Sequence, residues 1–203
     1  RKISEFLPAG TQLNVLDIAT GTADVAIVLG RNSSVKKVVG IDLADKMLAL
    51  GREKVARCGL AGRVRLEIAD AQALPFGQNS FDAVTVAFGL RNMPDLMRAL
   101  VETFRVVKPG GRLIVLEFSK PENAVLRAMQ GCYLHGLVPM LGLFLTGNYR
   151  AYRYLARTIH EFPHGERLSR IIRQVGFSSV RRIMLGAGAV TIYIAEKGHD
   201  YHA

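Results

Sequence analysis

Tryptophan is absent from this chain of 203 residues, cysteine occurs twice, and the 17 acidic residues are outnumbered by 27 basic ones. Cys58 and Cys132 lie far apart in sequence, which argues against a disulfide framework or a zinc site and fits a reducing compartment. Aromatic residues make up 7% of the chain, so few side chains are available to stack on nucleic-acid bases. The formal net charge of +10 nevertheless favours an anionic partner, such as nucleic acid, an acidic membrane face or a phosphorylated substrate.

Apolar content is high enough for a large buried core, with 49% hydrophobic against 22% charged residues. This length fits one α/β domain, and we predict a single domain over residues 1–203. Residues 125–145 form an apolar run that is long enough to span a membrane. The run is broken by polar residues and a proline: Arg127, Gln130, His135 and Pro139. We therefore predict a helical apolar insertion at about residues 122–176 that covers a pocket or contacts a membrane surface.

Short apolar runs alternate with amphipathic stretches along the first two thirds of the chain. The apolar runs predict strands at residues 13–18, 37–41, 64–68, 82–88 and 112–118, followed later by 180–185 and 190–195. The amphipathic stretches predict helices at residues 25–29, 44–58, 94–107, 149–159 and 165–175, with a Lys-Pro-Gly-Gly turn at 108–111. Strands and helices in alternation are the signature of βαβ units, so the predicted fold class is α/β with a parallel sheet.

The turn after the first predicted strand, residues 17–24, reads Asp-Ile-Ala-Thr-Gly-Thr-Ala-Asp. It leaves the carboxyl end of a strand and enters a helix, which is where open α/β sheets bind ligands. A dinucleotide fingerprint would need glycines where Ala19, Gly21 and Ala23 stand, and it would bind a pyrophosphate. Asp17 begins this turn, and an acid suits a cationic ligand. S-adenosylmethionine carries an ammonium and a sulfonium and no phosphate, so Asp17 and Gly21 are predicted to contact this cofactor.

Acids also follow the second and third predicted strands, at Asp42 and Asp70. A carboxylate at Asp42 can accept two hydrogen bonds from the ribose hydroxyls of adenosine, and Asp70 can face the adenine amino group. Either acid taken alone would be explained by capping of a helix or a turn. Three acids that each come just past a successive strand are difficult to explain by capping. Together they predict an S-adenosylmethionine site.

Four further segments carry a family resemblance: residues 73–76 (Ala-Leu-Pro-Phe), 88–92 (Phe-Gly-Leu-Arg-Asn), 105–113 and 117–121 (Glu-Phe-Ser-Lys-Pro). With these segments, the chain resembles the ubiquinone/menaquinone biosynthesis C-methyltransferases over nearly its whole length. Methyltransferases in general share the Lys-Pro-Gly-Gly turn, whereas Phe-Gly-Leu-Arg-Asn and Glu-Phe-Ser-Lys-Pro are specific to this family. The resemblance implies a Rossmann-like class I methyltransferase fold, with a seven-stranded, mostly parallel sheet, one antiparallel strand and the helical insertion.

The resemblance also implies which residues contact the cofactor: Thr22, Asp42, Asp70 and Ala71. The end of the fourth strand faces cofactor and substrate in this fold, so Ala87 is a further predicted contact. Family members often carry serine at that position, and alanine leaves only the backbone to serve. The family has an N-terminal segment with a Tyr-Asp…Met-Asn pattern, which would precede Arg1, and we expect this chain to lack it.

The reaction implied by the resemblance is methylation of a ring carbon of a polyprenylated quinol, giving menaquinone or ubiquinone intermediates. A ring carbon becomes a good nucleophile when a neighbouring hydroxyl loses its proton, so the substrate must be the quinol and not the quinone. We predict that Arg91 stabilises the phenolate as a fixed cation and that Asn92 orients the ring oxygens. The alternative for Arg91 is a salt bridge to Asp95. Candidates for the base are a bound water and three histidines that spacing does not distinguish: His135, His160 and His164.

Basic residues are concentrated late in the chain, and on a helix Arg150, Arg153 and Arg157 would share a face. We therefore predict a cytoplasmic enzyme that attaches loosely to the inner membrane through its basic and apolar C-terminal region. The apolar insertion would then hold the polyprenyl tail. The predicted partners are the quinol substrate and this membrane; a homodimer is left open, and nucleic acid is not expected.

Three other functions are compatible with parts of the sequence. An RNA methyltransferase would suit the positive charge, but the fourth predicted strand is followed by Ala-Phe-Gly-Leu and not by an Asn/Asp-Pro-Pro-aromatic loop. The two cysteines are also badly placed for a covalent base-methylation pair. A methyltransferase for another small molecule and a non-catalytic cofactor-binding subunit are the remaining alternatives.

Overall fold

The sheet runs through the middle of the part of the chain that the computed structural model describes, residues 2–120, 158 and 161–199. Its seven strands lie in the order β3-β2-β1-β4-β5-β7-β6. Their bounds are β1 Leu13–Ile18, β2 Val35–Asp42, β3 Val64–Ile68, β4 Phe81–Ala87, β5 Val107–Phe118, β6 Ser179–Leu185 and β7 Val190–Glu196. Strands β1 to β5 pair in parallel, and β7 is antiparallel to both of its neighbours. The predicted seven-stranded sheet with one reversed strand is confirmed.

Helices cover both faces of this sheet. The α-helices of the described residues are α1 Asp24–Gly30, α2 Asp45–Arg57, α3 Leu96–Val106 and α4 Glu166–Gln174. On one face, Leu48 of α2 belongs to the same apolar cluster as Val15 of β1. On the other face, Leu100 of α3 and Leu168 of α4 belong to the cluster of Leu16. Successive residues of β1 are therefore buried on opposite faces, as expected for a central strand of a parallel sheet.

The strand order reverses at β1, which lies between β2 on one side and β4 on the other. The carboxyl ends of these strands meet at one edge, because Ile18 is in register with both Ile41 and Val86. In open α/β sheets such a switch point leaves a crevice outside the carboxyl ends, and ligands bind there. The fold therefore brings together the loops that follow β1, β2 and β4.

Helix α3 begins two residues later than the predicted start at Pro94. Asp95 is the N-cap, and its side chain accepts a hydrogen bond of 2.9 Å from the backbone N–H of Arg98. An aspartate satisfies one of the unpaired N–H groups of the first turn, which a proline cannot do. Pro94 therefore precedes the helix and does not open it.

Strand β5 begins at Val107, so the predicted turn at residues 108–111 lies within a strand. The register with β4 shifts there, since Phe81 pairs with Val107 whereas Ala83 pairs with Arg112. The backbone N–H of Gly110 (φ 73°) donates to the carbonyl of Lys197, just beyond β7, at 2.8 Å. The Lys-Pro-Gly-Gly segment is therefore an irregularity of the sheet that pairs with the end of β7.

Several predictions on the helical insertion concern residues outside the described ones. The apolar run at 125–145 lies outside the described residues, and so does the predicted helix at 149–159 except for residue 158. The predicted helix at 165–175 is confirmed as α4. Among the described helices, none is both long and apolar enough to cross a membrane. A single domain over residues 1–203 stays a prediction.

Candidate functional site

The loop between β1 and α1 has an unusual backbone. Ala19, Gly21 and Ala23 all have positive φ, at 54°, 55° and 66°. These are the positions where a dinucleotide fingerprint would carry glycine, and the left-handed conformation costs an alanine about 1–2 kcal/mol. Strand β2 holds the loop in this conformation: the N–H of Thr20 donates to the carbonyl of Ile41, and the N–H of Gly21 donates to the carboxylate of Asp42, both at 2.9 Å. The loop is therefore shaped by its neighbours more than by its own residue types.

Asp17 lies behind this loop and does not line a cleft. Its side chain is 1% exposed, and its two carboxylate oxygens accept 2.6 Å hydrogen bonds from the hydroxyls of Thr20 and Thr85. Burial raises the pKa of Asp17 from 3.8 to about 6, although these hydroxyls oppose the shift. The structure therefore gives Asp17 the task of anchoring the loop. Both oxygens face protein hydroxyls, and the predicted direct contact of Asp17 with the cofactor stays a prediction.

Asp42, at the end of β2, joins two loops at the cleft. One carboxylate oxygen accepts the backbone N–H of Gly21 and the other accepts that of Ala44, both at 2.9 Å. A carboxylate oxygen has two lone pairs, so each oxygen of Asp42 can accept another hydrogen bond. Asp42 also lines the neighbouring cleft. This acid therefore combines a structural contact with free acceptor capacity toward a ligand.

The cleft occupies the switch point and has a volume of about 320 Å³. Its walls are mainly apolar: Ile18, Ile41, Leu43, Phe88 and Met93. Four polar side chains complete it: Asp42, Asp70, Gln72 and Asn92. Asp70 accepts the backbone N–H of Gln72 at 2.8 Å, which orients its carboxylate. A few polar groups in a mostly apolar crevice are typical of a site for a small ligand or cofactor.

Of the predicted site residues, Asp42, Asp70, Ala71 and Asn92 line this cleft. The N–H of Gly21 is engaged by Asp42, and the hydroxyl of Thr22 donates to Asp24 at 2.8 Å and accepts from Lys54 at 3.1 Å. These side-chain bonds direct Thr22 toward α1 and α2. Contacts of Gly21, Thr22 and Ala87 with a cofactor stay predictions.

The loop after β4 approaches the loop after β1 at Gly89. A Cβ placed on Gly89 would lie 2.5 Å from the Cβ of Ala19 and 3.2 Å from a methyl of Val86. Phe88, the preceding residue, has φ 56°, which is rare for a bulky side chain. The sequence contained a signal for this contact, a glycine directly after a strand, but only the packing shows which residue it faces.

Arg91 forms a buried ion pair with Glu117 near the end of β5. Its Nη1 atom lies 2.6 Å from Oε1 of Glu117 and 2.8 Å from the carbonyl oxygen of Phe88. The side chains of Arg91 and Glu117 are 10% and 1% exposed. The alternative pairing of Arg91 with Asp95 is wrong, because Asp95 caps α3. The structure thus shows Arg91 behind the cleft wall, where it holds the loop that carries Phe88.

Glu117 was not among the predicted site residues. The available signal was a single acid inside the apolar strand Leu-Ile-Val-Leu-Glu-Phe. Burial raises the pKa of Glu117, and the Arg91 guanidinium opposes this shift. The Nε atom of Arg91 and the Oε2 atom of Glu117 are buried without a hydrogen-bond partner in the described part of the chain.

Of the three histidine candidates for a base, His164 lies among the described residues. His164 contacts the carbonyl of Phe162 at 3.3 Å and is not among the residues that line the cleft. His135 and His160 lie outside the described residues. The three histidines therefore remain alternatives.

A family model matches residues 1–197, and its description reads "ubiE/COQ5 methyltransferase family". A ubiquinone/menaquinone biosynthesis C-methyltransferase UbiE of Geobacter sulfurreducens is 42% identical over 185 residues, which cover 91% of this chain and 72% of that protein. A demethylmenaquinone methyltransferase of Thermus thermophilus is 43% identical over 183 residues, covering 90% of this chain and 82% of the relative.

The solved structures agree on the fold. A SAM-dependent methyltransferase from Aquifex aeolicus aligns with a TM-score of 0.65 at 21% identity, over 96% of this chain and 86% of that one. At this identity the likeness concerns the fold alone, and it confirms the Rossmann-like methyltransferase architecture.

Proposed function

The chain belongs to the ubiE/COQ5 methyltransferase family, and we propose that it methylates a ring carbon of a polyprenylated quinol, either demethylmenaquinol or the benzoquinol of the ubiquinone pathway. It is an S-adenosylmethionine-dependent methyltransferase of quinone biosynthesis. The observation that carries the proposal is the cleft at the switch point, where Asp42 keeps acceptor capacity on both oxygens beside apolar walls.

The cleft residues fit this cofactor. The two oxygens of Asp42 suit the two ribose hydroxyls, because a charged acceptor forms strong hydrogen bonds. Leu43, which is 66% exposed, offers an apolar surface next to Asp42 for the adenine ring, and Asp70 offers an acceptor for its amino group. The loop after β1, residues 19–23, carries no cationic side chain that could bind a phosphate. S-adenosylmethionine contains no phosphate, so it needs no such cation.

The chain's own residues act on the aromatic substrate. When bound, S-adenosylmethionine supplies a methyl group on a sulfonium. Asn92 lines the cleft and would orient a ring oxygen, while Arg91 would stabilise the phenolate that makes the ring carbon nucleophilic. Phe88, Met93 and Pro94 exclude water from that side of the cleft.

The experiment that tests this function is a transfer assay with methyl-labelled S-adenosylmethionine. The acceptors are reduced demethylmenaquinol, the demethylated benzoquinol and bulk RNA, with the unreduced quinones as controls. We expect label in a quinol and none in its quinone, and the preferred head group identifies the pathway. Label in RNA alone would refute the proposal. Binding of the cofactor with no transfer to any acceptor would instead support a non-catalytic subunit.

We predict that S-adenosylmethionine binds more tightly as the pH rises through about 6, by roughly three- to tenfold. Asp17 is half protonated near its pKa of about 6, and a cationic ligand favours the ionised form. Titration calorimetry at pH values from about 5 to about 8, a range that brackets the pKa of Asp17, measures the effect. Asp17→Asn should bind with little pH dependence in this range, and S-adenosylhomocysteine, without the sulfonium, should show a weaker dependence. A wild-type affinity that is flat across pH 6 would contradict the prediction.

Gly89→Ala should weaken cofactor binding roughly 5- to 150-fold, the equivalent of about 1–3 kcal/mol of overpacking. The new methyl would lie 2.5 Å from Ala19, so one of the two loops that border the cleft must move. The matched control is Gly62→Ala, whose added methyl has no neighbour within 4 Å and should leave binding unchanged. Equal affinities for both variants would show that the loops yield at no cost to the cleft.

We also propose peripheral contact with an anionic membrane. Helix α4 is amphipathic, with Leu168 and Ile172 buried and with exposed Arg167, Arg170 and Arg173 on its outer side. Each basic residue near such a surface adds about 1 kcal/mol. Flotation with vesicles that contain anionic lipid should recover more protein than flotation with neutral vesicles, and less at high salt. Recovery that is independent of lipid charge would argue against this contact.

A further inference from the structure

The buried pair of Arg91 and Glu117 leaves one donor and one acceptor unused. Nη1 of Arg91 and Oε1 of Glu117 meet at 2.6 Å, while Nε of Arg91 and Oε2 of Glu117 have no partner among the described residues. A buried polar atom without a hydrogen bond costs about 1–3 kcal/mol, and more when it belongs to a charged group. Two such atoms in one ion pair therefore indicate a third group that binds there during function.

The chemistry of the two atoms restricts that third group. Nε–H needs an acceptor, and a carboxylate oxygen such as Oε2 needs a donor. A hydroxyl group or a water molecule is both, whereas a ketone oxygen only accepts and an ammonium only donates. A quinol differs from its quinone in carrying hydroxyls where the quinone carries ketone oxygens. The pair is thus suited to the reduced form of the proposed substrate.

The pair also lies next to the cleft. Arg91 holds the carbonyl of Phe88, whose residue lines the cleft, at 2.8 Å. The rings of Phe88 and Phe118 are 4.6 Å apart, and the guanidinium lies 5.1 Å from the centre of the Phe118 ring. The ion pair is therefore bonded to the backbone of a residue that forms part of the cleft wall.

We propose that a hydroxyl, either of the aromatic substrate or of one water bound to it, sits between Arg91 Nε and Glu117 Oε2, and that Glu117 accepts its proton. The proposal rests on the function proposed above and assigns the proton acceptor that the histidine candidates left open. In the step, the O–H bond of the substrate breaks, its electron pair stays on the phenolate oxygen, and a proton arrives at Oε2, either directly or through the water, which takes the substrate's proton as it passes its own to Oε2. The ring carbon then takes the methyl group and later loses its own proton to solvent, while Glu117 returns its proton to the oxygen.

Charge balance favours this transfer in a buried setting. Before it, the negative charge is on Glu117, and after it the charge is on the phenolate; Arg91 is beside the charge in both states. Burial raises the pKa of Glu117, which brings it closer to that of a phenol. Among the described residues, the charged group in contact with Glu117 is Arg91, and Thr191 lies opposite it on β7. Tyr193 is the next titratable group along that strand, and burial raises its pKa.

The test compares Glu117→Gln and Glu117→Asp in the full chain, with quinol as the acceptor. Glu117→Gln keeps an oxygen for Arg91 but cannot take a proton, so kcat should fall about 10²–10⁴-fold. Cofactor affinity should stay within about threefold of wild type. The deficit should shrink as the pH approaches the pKa of the substrate hydroxyl, because solvent then supplies the phenolate. Glu117→Asp should recover part of the loss, since it restores a base.

The matched control is Glu196→Gln, which removes another strand glutamate that pairs with an arginine, Arg112 of β5, at 2.6 Å. It should leave kcat unchanged. A rise in KM for the quinol with the fall in kcat would place the substrate hydroxyl on Glu117, and a fall in kcat alone would place a water between them. A pH profile parallel to wild type, or equal losses of kcat and cofactor affinity, would overturn the proposal. Wild-type protein that methylates no quinol would instead refute the proposed function.

Discussion

Asp42→Ala should weaken S-adenosylmethionine binding by about 10²–10⁴-fold. The change removes two hydrogen bonds to a charged acceptor, each worth about 1.5–3 kcal/mol. It also releases the N–H groups of Gly21 and Ala44, which the carboxylate holds at 2.9 Å in the free protein. The loss therefore has two sources, the missing acceptors and a less ordered cleft.

Asp42→Asn separates these two sources. The amide keeps one oxygen for a backbone N–H and loses the charge, so its affinity should fall between those of the wild type and the alanine variant. The control is Asp45→Ala, which removes an acid of the same region that is 68% exposed and lies 3.6 Å from Arg52. Calorimetry on all four proteins gives the comparison. If Asp42→Ala and Asp45→Ala bind alike, Asp42 is only a loop contact.

Arg91→Ala should abolish methyl transfer and lower the free energy of unfolding by about 3–5 kcal/mol. It removes the partner of a carboxylate that is 1% exposed, which leaves a buried charge without compensation. Cofactor affinity should stay within about threefold, because Arg91 does not line the cleft. Urea unfolding, calorimetry and the transfer assay together measure the three effects.

The stability loss in Arg91→Ala should depend on pH. Burial raises the pKa of Glu117 above its ordinary value of 4.5, and removal of the cation raises it further. A carboxyl group with a raised folded-state pKa binds more protons when folded, so stability falls as the pH rises from 4.5 through the folded value. The penalty should therefore be smaller at about pH 5 than at about pH 8.

A second variant separates folding from chemistry. Arg91→Ala with Glu117→Gln removes both charges and should regain much of the stability, yet remain inactive. The control Arg173→Ala breaks an exposed pair with Glu166, and it should change stability by less than about 1 kcal/mol. An active double variant would show that the pair serves only to hold the fold.

Local patterns in the sequence were sufficient for the sheet. Apolar runs such as Leu13–Ile18 and Val64–Ile68 form strands with the predicted bounds. The first is buried along most of its length, and the second, an edge strand, alternates between buried Val64 and Leu66 and exposed Arg65. The acids after the strands were found in the same way. The carboxyl ends of parallel strands share one edge, so Asp42 and Asp70 reach the same cleft.

The start of α3 shows where local rules compete. Pro94 and Asp95 are both acceptable near a helix start, and the sequence alone favoured the proline. The hydrogen bond from Arg98 to Asp95 decides the boundary, since it satisfies a backbone donor.

The order and type of the elements and the acids at the sheet edge could be predicted from the chain alone, because they follow from contacts between near neighbours and from strand direction. The cofactor class followed from those acids and from the family resemblance. The tertiary structure decided which acid faces the cleft and which is buried: Asp17 is enclosed by Thr85 of the adjacent strand, and Asp42 is not. It also paired Arg91 with Glu117, 26 residues away, and set Gly89 against Ala19. These contacts depend on β4 lying between β1 and β5, and lateral packing of that kind leaves no periodic signal along the chain.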